Sequence, residues 1–543
     1  MNPLLLLCPA WGVEAPPLGL ATMAGALRAR GRRVAVRDLN IELHDRADAG
    51  LLEYWQVDRR AVWLVPEFFF GSELEAILVP EIRTWAAEIV QGGYTVVGMS
   101  VYHTNRLCSL LLAEQIKRLR PEVFVVLGGA DCRPFHGAGE LVRHPAVDCV
   151  VTGEGEEAFH EVLNTIPPGQ PVPGTLIKSG GRILDGGVRP PIDDLDSLAF
   201  ADFSDLDPAR YGGSTLPILG SRGCTGRCTI CNERRYWEGF RTRSAARVAA
   251  EMEHQFQRHG IASFHFNDSL VNGAVGQLRE LCSRLAGKDF TWSGAARAVP
   301  SLSKELLALM KRAGCTGFSL GIESGSQRVV NAMRKGFNVV DAIRIIRQAH
   351  ELDLRVSFNI IVGFPGETLL DFMRTIAFLW RIRKFDAELE VLSTCLVSEG
   401  SELAGDPERF SVVYSDDLFW ISKDGKNTYP RRLAKLTLIH DVARLFGIKV
   451  RFRKPPRTEC RRELGYYYRT RRDNRRAVRY FLKALRSMPQ DAGLLAEIAD
   501  AYRVLGNLRL ARRYLAAGLA VAPGNAALER VRDELARAEV LQA

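Results

Sequence analysis

The sequence has no apolar run long enough to cross a membrane, which takes roughly 18 to 20 residues. Its first residues, MNPLLLLCPAWG, lack a basic region before the apolar run, and that run stops at Pro9. We therefore expect a buried first strand rather than a targeting segment, and a cytoplasmic protein with no membrane partner.

Cysteine is scarce and odd in number, with 11 in 543 residues. Without a secretion signal, this usage indicates a reducing compartment in which thiols bind metal or pack.

Most of the chain also lacks an excess of positive or negative charge. The formal net charge is +10, and residues 450–486 alone hold 14 Lys and Arg against three acids. Basicity is therefore a property of one region.

Residues 1–180 alternate short apolar runs with amphipathic stretches, and each run ends in glycine, proline or a polar residue. This alternation predicts an α/β domain with a parallel, doubly wound (Rossmann-like) sheet. A dinucleotide is the usual ligand of such a sheet, but the first turn, PAWGVEAPPLG, lacks the G-x-G-x-x-G spacing that a pyrophosphate requires. Ligand contacts are expected at the carboxyl ends of the strands.

A stretch rich in proline and aspartate predicts a linker over residues 181–214. Six strand–helix units follow in residues 215–400 and predict a parallel barrel or partial (β/α)6 barrel. Residues 401–460 have a weaker pattern and are expected to form a mixed extension. Residues 461–540 carry the tetratricopeptide spacing twice, 34 residues apart, which predicts an α-helical repeat region.

Three cysteines, Cys224, Cys228 and Cys231, stand within eight residues and have no fourth cysteine nearby. A structural zinc site needs four ligands, and Cys282 or Cys315 could complete one only from a distant element. The expected compartment disfavours disulfides, and inert buried thiols are rarely so dense. A [4Fe-4S] cluster held by three thiolates keeps one iron open for a further ligand.

The C-x3-C-x2-C loop after the first barrel strand resembles that of the radical S-adenosylmethionine (SAM) superfamily. The resemblance implies that SAM chelates the open iron and is cleaved there to methionine and a 5'-deoxyadenosyl radical. It makes Cys224, Cys228 and Cys231 both metal ligands and catalytic residues, and it implies an electron donor of the flavodoxin or ferredoxin type. Further SAM contacts are implied at the ends of later strands, namely Asn267, Asp268, Arg297, Glu323, Ser324 and Gly363.

The N-terminal domain resembles the cobalamin-binding domain that precedes the barrel in one radical SAM subgroup, through the stretches PPLGLATMAGALRARG, VVGMSV, VVLGGAD and VDCVVTGEGEEAF. The loop AWGVEAP has no histidine, so the resemblance implies cobalamin without an imidazole below the cobalt. His103 is an alternative ligand, and the aromatic loop VWLVPEFFFG, residues 62–71, is expected to cover the lower face. Corrinoid contacts are implied after the strands, at Ser100, Tyr102, Gly128, Gly129, Gly153 and Glu154.

Together the resemblances imply a cobalamin-dependent radical SAM methyltransferase. It would transfer a methyl group from SAM, via methylcobalamin, to an unactivated carbon of a small-molecule or peptide natural product. Two alternatives stay open: a non-methylating enzyme that performs a cyclisation, rearrangement or oxidation, and a corrinoid- or cluster-based sensor or scaffold. The sixth strand, LEVLSTCLVSEGSEL, lacks the Pro-Gly-Thr/Ser turn common in the subgroup, so no substrate-binding residue is predicted.

The basic region before and within the first repeat fits an anionic partner, such as the phosphopantetheine arm of a carrier protein or an acidic peptide. A solvated helix face explains the same composition. Nucleic acid is disfavoured as a partner, because stacking aromatic residues are not interleaved along this region.

Overall fold

The computed structural model describes residues 1–56, 62–63, 69–70, 72–166, 170–212, 214–413, 416–451, 454 and 456–542. Two compact units make up the chain. The first contains residues 1–45, 92–102 and 120–452, and the second contains residues 46–91, 103–119 and 453–543. Helices and strands are numbered here along the chain.

The first sheet has seven strands in the order β2-β1-β3-β4-β5-β6-β7. The first five strands in this order are parallel, and β6 and β7 are antiparallel. Helices α1, α2, α6 and α7 belong to this domain. The bounds are β1 Pro3–Leu7, β2 Ala35–Asp38, β3 Val96–Ser100, β4 Phe124–Gly128, β5 Cys149–Val151, β6 Thr175–Ser179, β7 Arg182–Asp185, α1 Leu18–Ala29, α2 Leu39–His44, α6 Ala138–Arg143 and α7 Gly155–Thr165.

This sheet confirms the predicted Rossmann-like domain. All five residues of β1 are buried, as expected for a strand with both faces covered. The strand order reverses between β1 and β3, so the loops after these two strands diverge and leave a crevice at the carboxyl edge. The loops after β4 and β5 border the same edge.

The second sheet has the order β18-β15-β14-β13-β12-β11-β8, and its paired strands are all parallel. It is an open, partial barrel, as predicted. The short strand β18 adds a seventh strand from the stretch that was expected to be a mixed extension. The bounds are β8 Thr215–Ile218, β11 Ser263–Phe266, β12 Thr291–Ala296, β13 Cys315–Glu323, β14 Arg355–Val362, β15 Glu388–Thr394 and β18 Lys449–Val450.

Two small antiparallel pairs and nine helices complete the barrel among the described residues. The pairs are β9 Ser221–Gly223 with β10 Phe240–Thr242, and β16 Val412–Val413 with β17 Ile421–Ser422. The helices are α8 Glu233–Trp237, α9 Ala245–His259, α10 Val275–Leu285, α11 Lys304–Arg312, α12 Gln327–Ala332, α13 Val339–Glu351, α14 Leu369–Ile382, α15 Glu402–Gly405 and α16 Tyr429–Leu445.

Strand alternation separates the two faces of the barrel sheet. Phe264, Phe266, Trp292 and Phe358 are buried in the core under the helices. The residues between them, such as Ser293, lie on the opposite face, because successive strand residues point to opposite sides. The core therefore lies between the strands and the helices, and the carboxyl strand ends carry the loops of the site.

The second unit is helical. Its elements are α3 Ala49–Leu52, α4 Glu73–Gln91, α5 Arg106–Leu119, α17 Arg457–Thr470, α18 Asn474–Leu485, α19 Ala492–Val504, α20 Leu508–Val521 and α21 Ala526–Gln542. A Cβ atom on Gly465 would lie 2.3 Å from the Phe481 ring, and one on Gly518 would lie 2.5 Å from Leu528. These glycines permit the close helix contacts that the repeat spacing predicts. No helix of the described residues is long and apolar enough to span a membrane.

Candidate functional site

The three cysteines follow β9 and precede α8. The backbone N–H of Gly226 donates to Cys224 Sγ at 3.2 Å, and that of Glu233 donates to Cys231 Sγ at 3.5 Å. A Cβ atom on Gly226 would lie 3.2 Å from Cys224 Sγ and 3.6 Å from Cys228 Sγ. The loop therefore wraps two sulfur atoms around a glycine, and a larger residue at this position would crowd both.

Burial of the sulfur atoms raises the pKa of Cys224 and raises that of Cys231 to about 11. Cys231 as a whole residue is exposed, whereas Cys224 and Cys228 are partly buried. Thiols with raised pKa values are protonated at neutral pH. Metal binding here must therefore release protons.

The donor set fits an iron–sulfur cluster better than zinc. Among the described residues, no three His, Cys, Asp or Glu side chains are arranged to hold one metal ion. Cys282 and Cys315, the candidates for a fourth zinc ligand, are buried on α10 and β13, and burial raises the pKa of each to about 12. Three thiolates that each bind a different iron atom of a cluster need not converge on one point.

The segment of residues 333–335, in the turn after α12, packs beside the cysteine loop. Thr229 N donates to Met333 O at 3.0 Å, and Arg297 Nη2 donates to Lys335 O at 2.5 Å. Lys335 Nζ in turn lies 3.1 Å from Glu323 Oε1. The structure thus brings the predicted residues Arg297 and Glu323 to the cysteine loop, and Arg297 Nε is buried without a hydrogen-bond partner among the described residues.

Sequence reasoning missed Lys335. The available signal was the stretch MRKGFN, which follows GIESGS and places a cation immediately before a glycine.

Asp268 anchors the start of the cysteine loop. Its carboxylate accepts a hydrogen bond from Gly220 N at 2.8 Å and another from the Ser221 hydroxyl. Burial raises the pKa of Asp268 to about 6. Asn267, the neighbouring predicted SAM contact, donates its backbone N–H to Ile218 O at 2.9 Å and has an exposed side chain. Both Asp268 oxygens therefore bind the protein, whereas the Asn267 side chain faces solvent.

The other two predicted SAM contacts lie toward α14 and α16. The hydroxyl oxygens of Ser324 and Thr375 are 3.2 Å apart in a buried position. Gly363 has φ +79°, and a Cβ there would lie 2.4 Å from Arg432 Cγ. The Arg432 guanidinium is fully buried and lies 4.0 Å over the Trp420 ring. Arg432, which sequence reasoning also missed, thus fixes the turn after β14.

Glycines shape the carboxyl edge of the first sheet. Gly129 has φ +108°, and a Cβ there would lie 2.7 Å from Val101 O. Gly128, at the end of β4, has Val151 3.7 Å from its Cβ position, whereas no heavy atom lies within 4 Å of a Cβ built on Gly153. The edge therefore combines a close backbone approach at Gly129 with open space at Gly153, which fits a bulky ligand such as cobalamin.

Aromatic and polar side chains border the same edge. The ring of Tyr102 stacks on Trp11 with their centroids 3.9 Å apart. Burial raises the pKa of the Tyr102 hydroxyl, which hydrogen-bonds to Ser100. His103 is exposed. Of the aromatic loop at residues 62–71, residues 64–68 and 71 lie outside the described residues, so its placement stays a prediction.

Glu154 has partners other than a ligand. Its carboxylate accepts from Arg241 at 2.6 Å and from Ile192 N at 2.8 Å, and it lies 3.2 Å from Arg222 Nη1. Arg222 also pairs with Glu156. Burial alone would raise the pKa of Glu154, but Arg241 and Arg222 outweigh it and lower this pKa. Glu154 therefore joins the first domain to β9 and β10, the two paired strands that flank the cysteine loop.

A second contact joins the loop after β4 to α8, the helix that follows the third cysteine. The buried guanidinium of Arg133 lies 4.1 Å over the ring of Tyr236, and that of Arg235 lies 4.8 Å over the ring of Phe135. The cysteine loop and the glycine-rich edge of the first sheet therefore adjoin within one compact unit.

Two family models match this chain. The model described as the Radical SAM superfamily matches residues 218–379, which include the three cysteines and most of the partial barrel. The model described as the B12 binding domain matches residues 77–163. The first match assigns a radical SAM domain to this chain and implies a [4Fe-4S] cluster and SAM as its cofactors. With the second, the chain has the domain composition of the cobalamin-dependent radical SAM enzymes, which confirms the predicted resemblance and its three cofactors.

Over the matched segments, three curated relatives are about a quarter identical to the chain. An uncharacterized methyltransferase of Pyrococcus horikoshii is 27% identical over 292 residues, covering 52% of this chain and 63% of the relative. An anaerobic magnesium-protoporphyrin IX monomethyl ester cyclase of Synechocystis sp. is 25% identical over 355 residues, covering 63% and 64%. The chain thus spans less than two thirds of these two relatives. A cytidylyl-2-hydroxyethylphosphonate methyltransferase of Streptomyces wedmorensis is 26% identical, covering 64% and 69%.

Two solved structures share the fold. The radical SAM methyltransferase TsrM from Kitasatospora setae, with cobalamin and a [4Fe-4S] cluster bound, has a TM-score of 0.56 at 19% identity and covers 74% of each chain. The cobalamin-dependent radical enzyme OxsB, with aqua-cobalamin and SAM bound, has a TM-score of 0.62 at 14% identity and covers 99% of this chain and 84% of its own.

Proposed function

We propose that this chain is a cobalamin-dependent radical SAM methyltransferase. It transfers a methyl group from SAM, via cobalamin, to an unactivated carbon of a small-molecule or peptide natural product. The observation that carries the proposal is that the cysteine loop adjoins the glycine-rich edge of the first sheet, where the Arg133 guanidinium packs on the Tyr236 ring. A methyl carrier must lie close to the carbon that is activated, so adjoining sites for the two groups favour methyl transfer.

Each group has its own holding residues in this proposal. Cys224, Cys228 and Cys231 hold the cluster, and the open edge at Gly129 and Gly153 takes the corrin. When bound, these groups supply one-electron cleavage of SAM and a transferable methyl group.

The chain's own side chains orient the two sites. Asp268 holds the start of the cysteine loop through Gly220 and Ser221, and Arg222 ties β9, the strand before the loop, to Glu156. Buried side chains at this junction exclude water from the space beside the cofactors.

The names of relatives favour methyl transfer and also keep one alternative open. The relatives from Pyrococcus horikoshii and Streptomyces wedmorensis are named methyltransferases. The Synechocystis relative is named a cyclase and covers a similar share of the chain. A non-methylating cyclisation, rearrangement or oxidation on the same architecture is therefore the second candidate.

An assay that needs no substrate separates the candidates. Anaerobically reconstituted protein, loaded with cobalamin, is incubated with SAM and a low-potential reductant. We expect both S-adenosylhomocysteine, from methyl transfer to the corrinoid, and 5'-deoxyadenosine, from cleavage. 5'-Deoxyadenosine alone would contradict methylation and favour the second candidate. Neither product from cluster-loaded protein would indicate a sensor or scaffold.

Cys228→Ala tests the cluster ligand directly. We expect complete loss of 5'-deoxyadenosine formation, because the cluster loses one of its three thiolates. Cys460→Ala, which changes a cysteine of the second unit, is the matched control and should retain cleavage. Residual cleavage in Cys228→Ala comparable to the control would contradict the assignment.

The remaining partners belong to the same proposal. A flavodoxin- or ferredoxin-type protein supplies the electron, and the enzyme works in the cytoplasm. The C-terminal helices, with their excess of Lys and Arg between residues 450 and 486, provide a surface for an acidic carrier protein or peptide. A steep loss of partner binding between low and moderate salt is the expected signature of such a surface.

A further inference from the structure

A buried ion pair lies beside the cysteine loop. Lys335 Nζ is 3.1 Å from Glu323 Oε1, and the two side chains are only 13% and 10% exposed. Glu323 ends β13, and Lys335 lies in the turn that follows α12. Burying two charged side chains costs free energy unless they form an ion pair with each other or interact with a third charged group.

The backbone fixes Lys335 relative to the cysteines. Thr229, which follows Cys228 directly, donates its N–H to Met333 O at 3.0 Å. Arg297 Nη2 donates to Lys335 O at 2.5 Å, and a Cβ on Gly336 would lie 2.6 Å from the same nitrogen. These hydrogen bonds tie the backbone at Met333 and Lys335 to Thr229 of the cysteine loop and to Arg297.

The charge of Lys335 acts on the cluster ligands. Once the thiols of Cys228 and Cys231 are deprotonated, as they are when they bind iron, the Lys335 ammonium attracts their negative charge. A cluster held by three thiolates is an anion, and one-electron reduction makes it more negative. Charges in a buried site are poorly screened by salt, so a nearby cation favours the reduced form.

We propose that Lys335 raises the reduction potential of the cluster held by Cys224, Cys228 and Cys231, and that Glu323 limits this effect. The proposal rests on the proposed function, since it requires the cluster. The step is the transfer of one electron to the cluster from a reduced flavodoxin- or ferredoxin-type donor, with no bond formed or broken. Lys335 is thus a positioning residue that acts on the cluster through its charge.

The test is a redox titration of reconstituted full-length protein without SAM, followed by electron paramagnetic resonance of the reduced cluster. For Lys335→Met we expect the equilibrium constant for one-electron reduction to fall about tenfold, a shift of about 59 mV to lower potential. Lys335→Arg should keep the wild-type value, and Glu323→Gln should move the potential upward. The matched control is Lys311→Met. It removes an exposed lysine on α11 that pairs with Asp353.

The outcomes separate this inference from the proposed function. If wild-type protein takes up no iron and sulfide, the proposed function fails. If wild-type and Lys335→Met proteins load clusters of equal potential, only the inference about Lys335 is overturned. If Lys335→Met loads no cluster, Glu323→Gln decides: a raised potential supports the proposal, and an unchanged potential overturns it.

Discussion

Around the cysteine loop the candidate site is formed by side chains. At the carboxyl edge of the first sheet it is formed by backbone and by glycines, which have no side chain to fill the space. The first region offers the sulfur atoms of Cys224, Cys228 and Cys231 and a buried lysine beside them. The second has a positive φ at Gly129, and no heavy atom lies within 4 Å of a Cβ built on Gly153. A cluster needs ligands that bond to iron, but a corrin needs room and a matching surface.

This difference shows why the two regions differ in how far sequence can define them. Ligand spacing along a loop is local, so it is visible in a dozen residues. A cavity depends on where strands from distant parts of the chain end. The two regions meet through Arg222, which precedes Cys224 by two residues and pairs with Glu154 and Glu156 at the start of α7, the helix after β5.

The largest expected effect comes from breaking this connection with Arg222→Met. Arg222 is 4% exposed, so its loss leaves the buried Glu156 carboxylate without its counter-ion, while Glu154 keeps Arg241. We expect the free energy of unfolding to fall by about 3–5 kcal/mol, measured by urea denaturation. Adding Glu156→Gln to Arg222→Met should recover part of the loss, because it removes one uncompensated charge.

The matched control for Arg222→Met is Arg284→Met. Arg284 forms an exposed ion pair with Glu280 on α10, with 45% and 50% of the side chains accessible. Its removal should cost under about 1 kcal/mol. Equal losses in the two variants would mean that the two regions are not coupled through Arg222.

Sequence patterns predicted the architecture, because periodicity is a local property. The spacing of the three cysteines is local too, and their role as cluster ligands stays a prediction. They placed Glu154 at a corrinoid contact, but the structure gives its carboxylate to Arg222 and Arg241, which lie far along the chain. That pairing exists only after the two sheets fold together. Lys335 was missed for a similar reason, since its partner Glu323 ends β13 and the whole of α12 separates the two residues along the chain.

The second-largest effect is a pH dependence of stability that arises from Asp268, which anchors the start of the cysteine loop. The pKa of Asp268 is raised by burial to about 6 from a usual value of 3.8. Between these values the folded protein binds a proton that the unfolded chain does not, so its stability falls as the pH rises through this window. Relative to Asp268→Asn, wild-type protein should lose about 2–3 kcal/mol between pH 4 and pH 7.

Urea denaturation of both proteins at several pH values measures this difference. The control is Asp289→Asn, which changes an exposed carboxylate of the same barrel. A constant difference between wild type and Asp268→Asn across the range would contradict the raised pKa of Asp268.

The smallest effect tests whether the corrinoid side is built from backbone alone. In Gly129→Ala, the new Cβ would lie 2.7 Å from Val101 O and 2.9 Å from Val101 N, at a φ of +108°. The edge must shift, and we expect cobalamin affinity to fall about tenfold while iron and sulfide contents stay unchanged. Gly276→Ala, on α10 with nothing within 4 Å of the new Cβ, should change neither. Loss of iron together with cobalamin in Gly129→Ala would mean that the strain crosses the junction at Arg133 and that the two regions are one site rather than two.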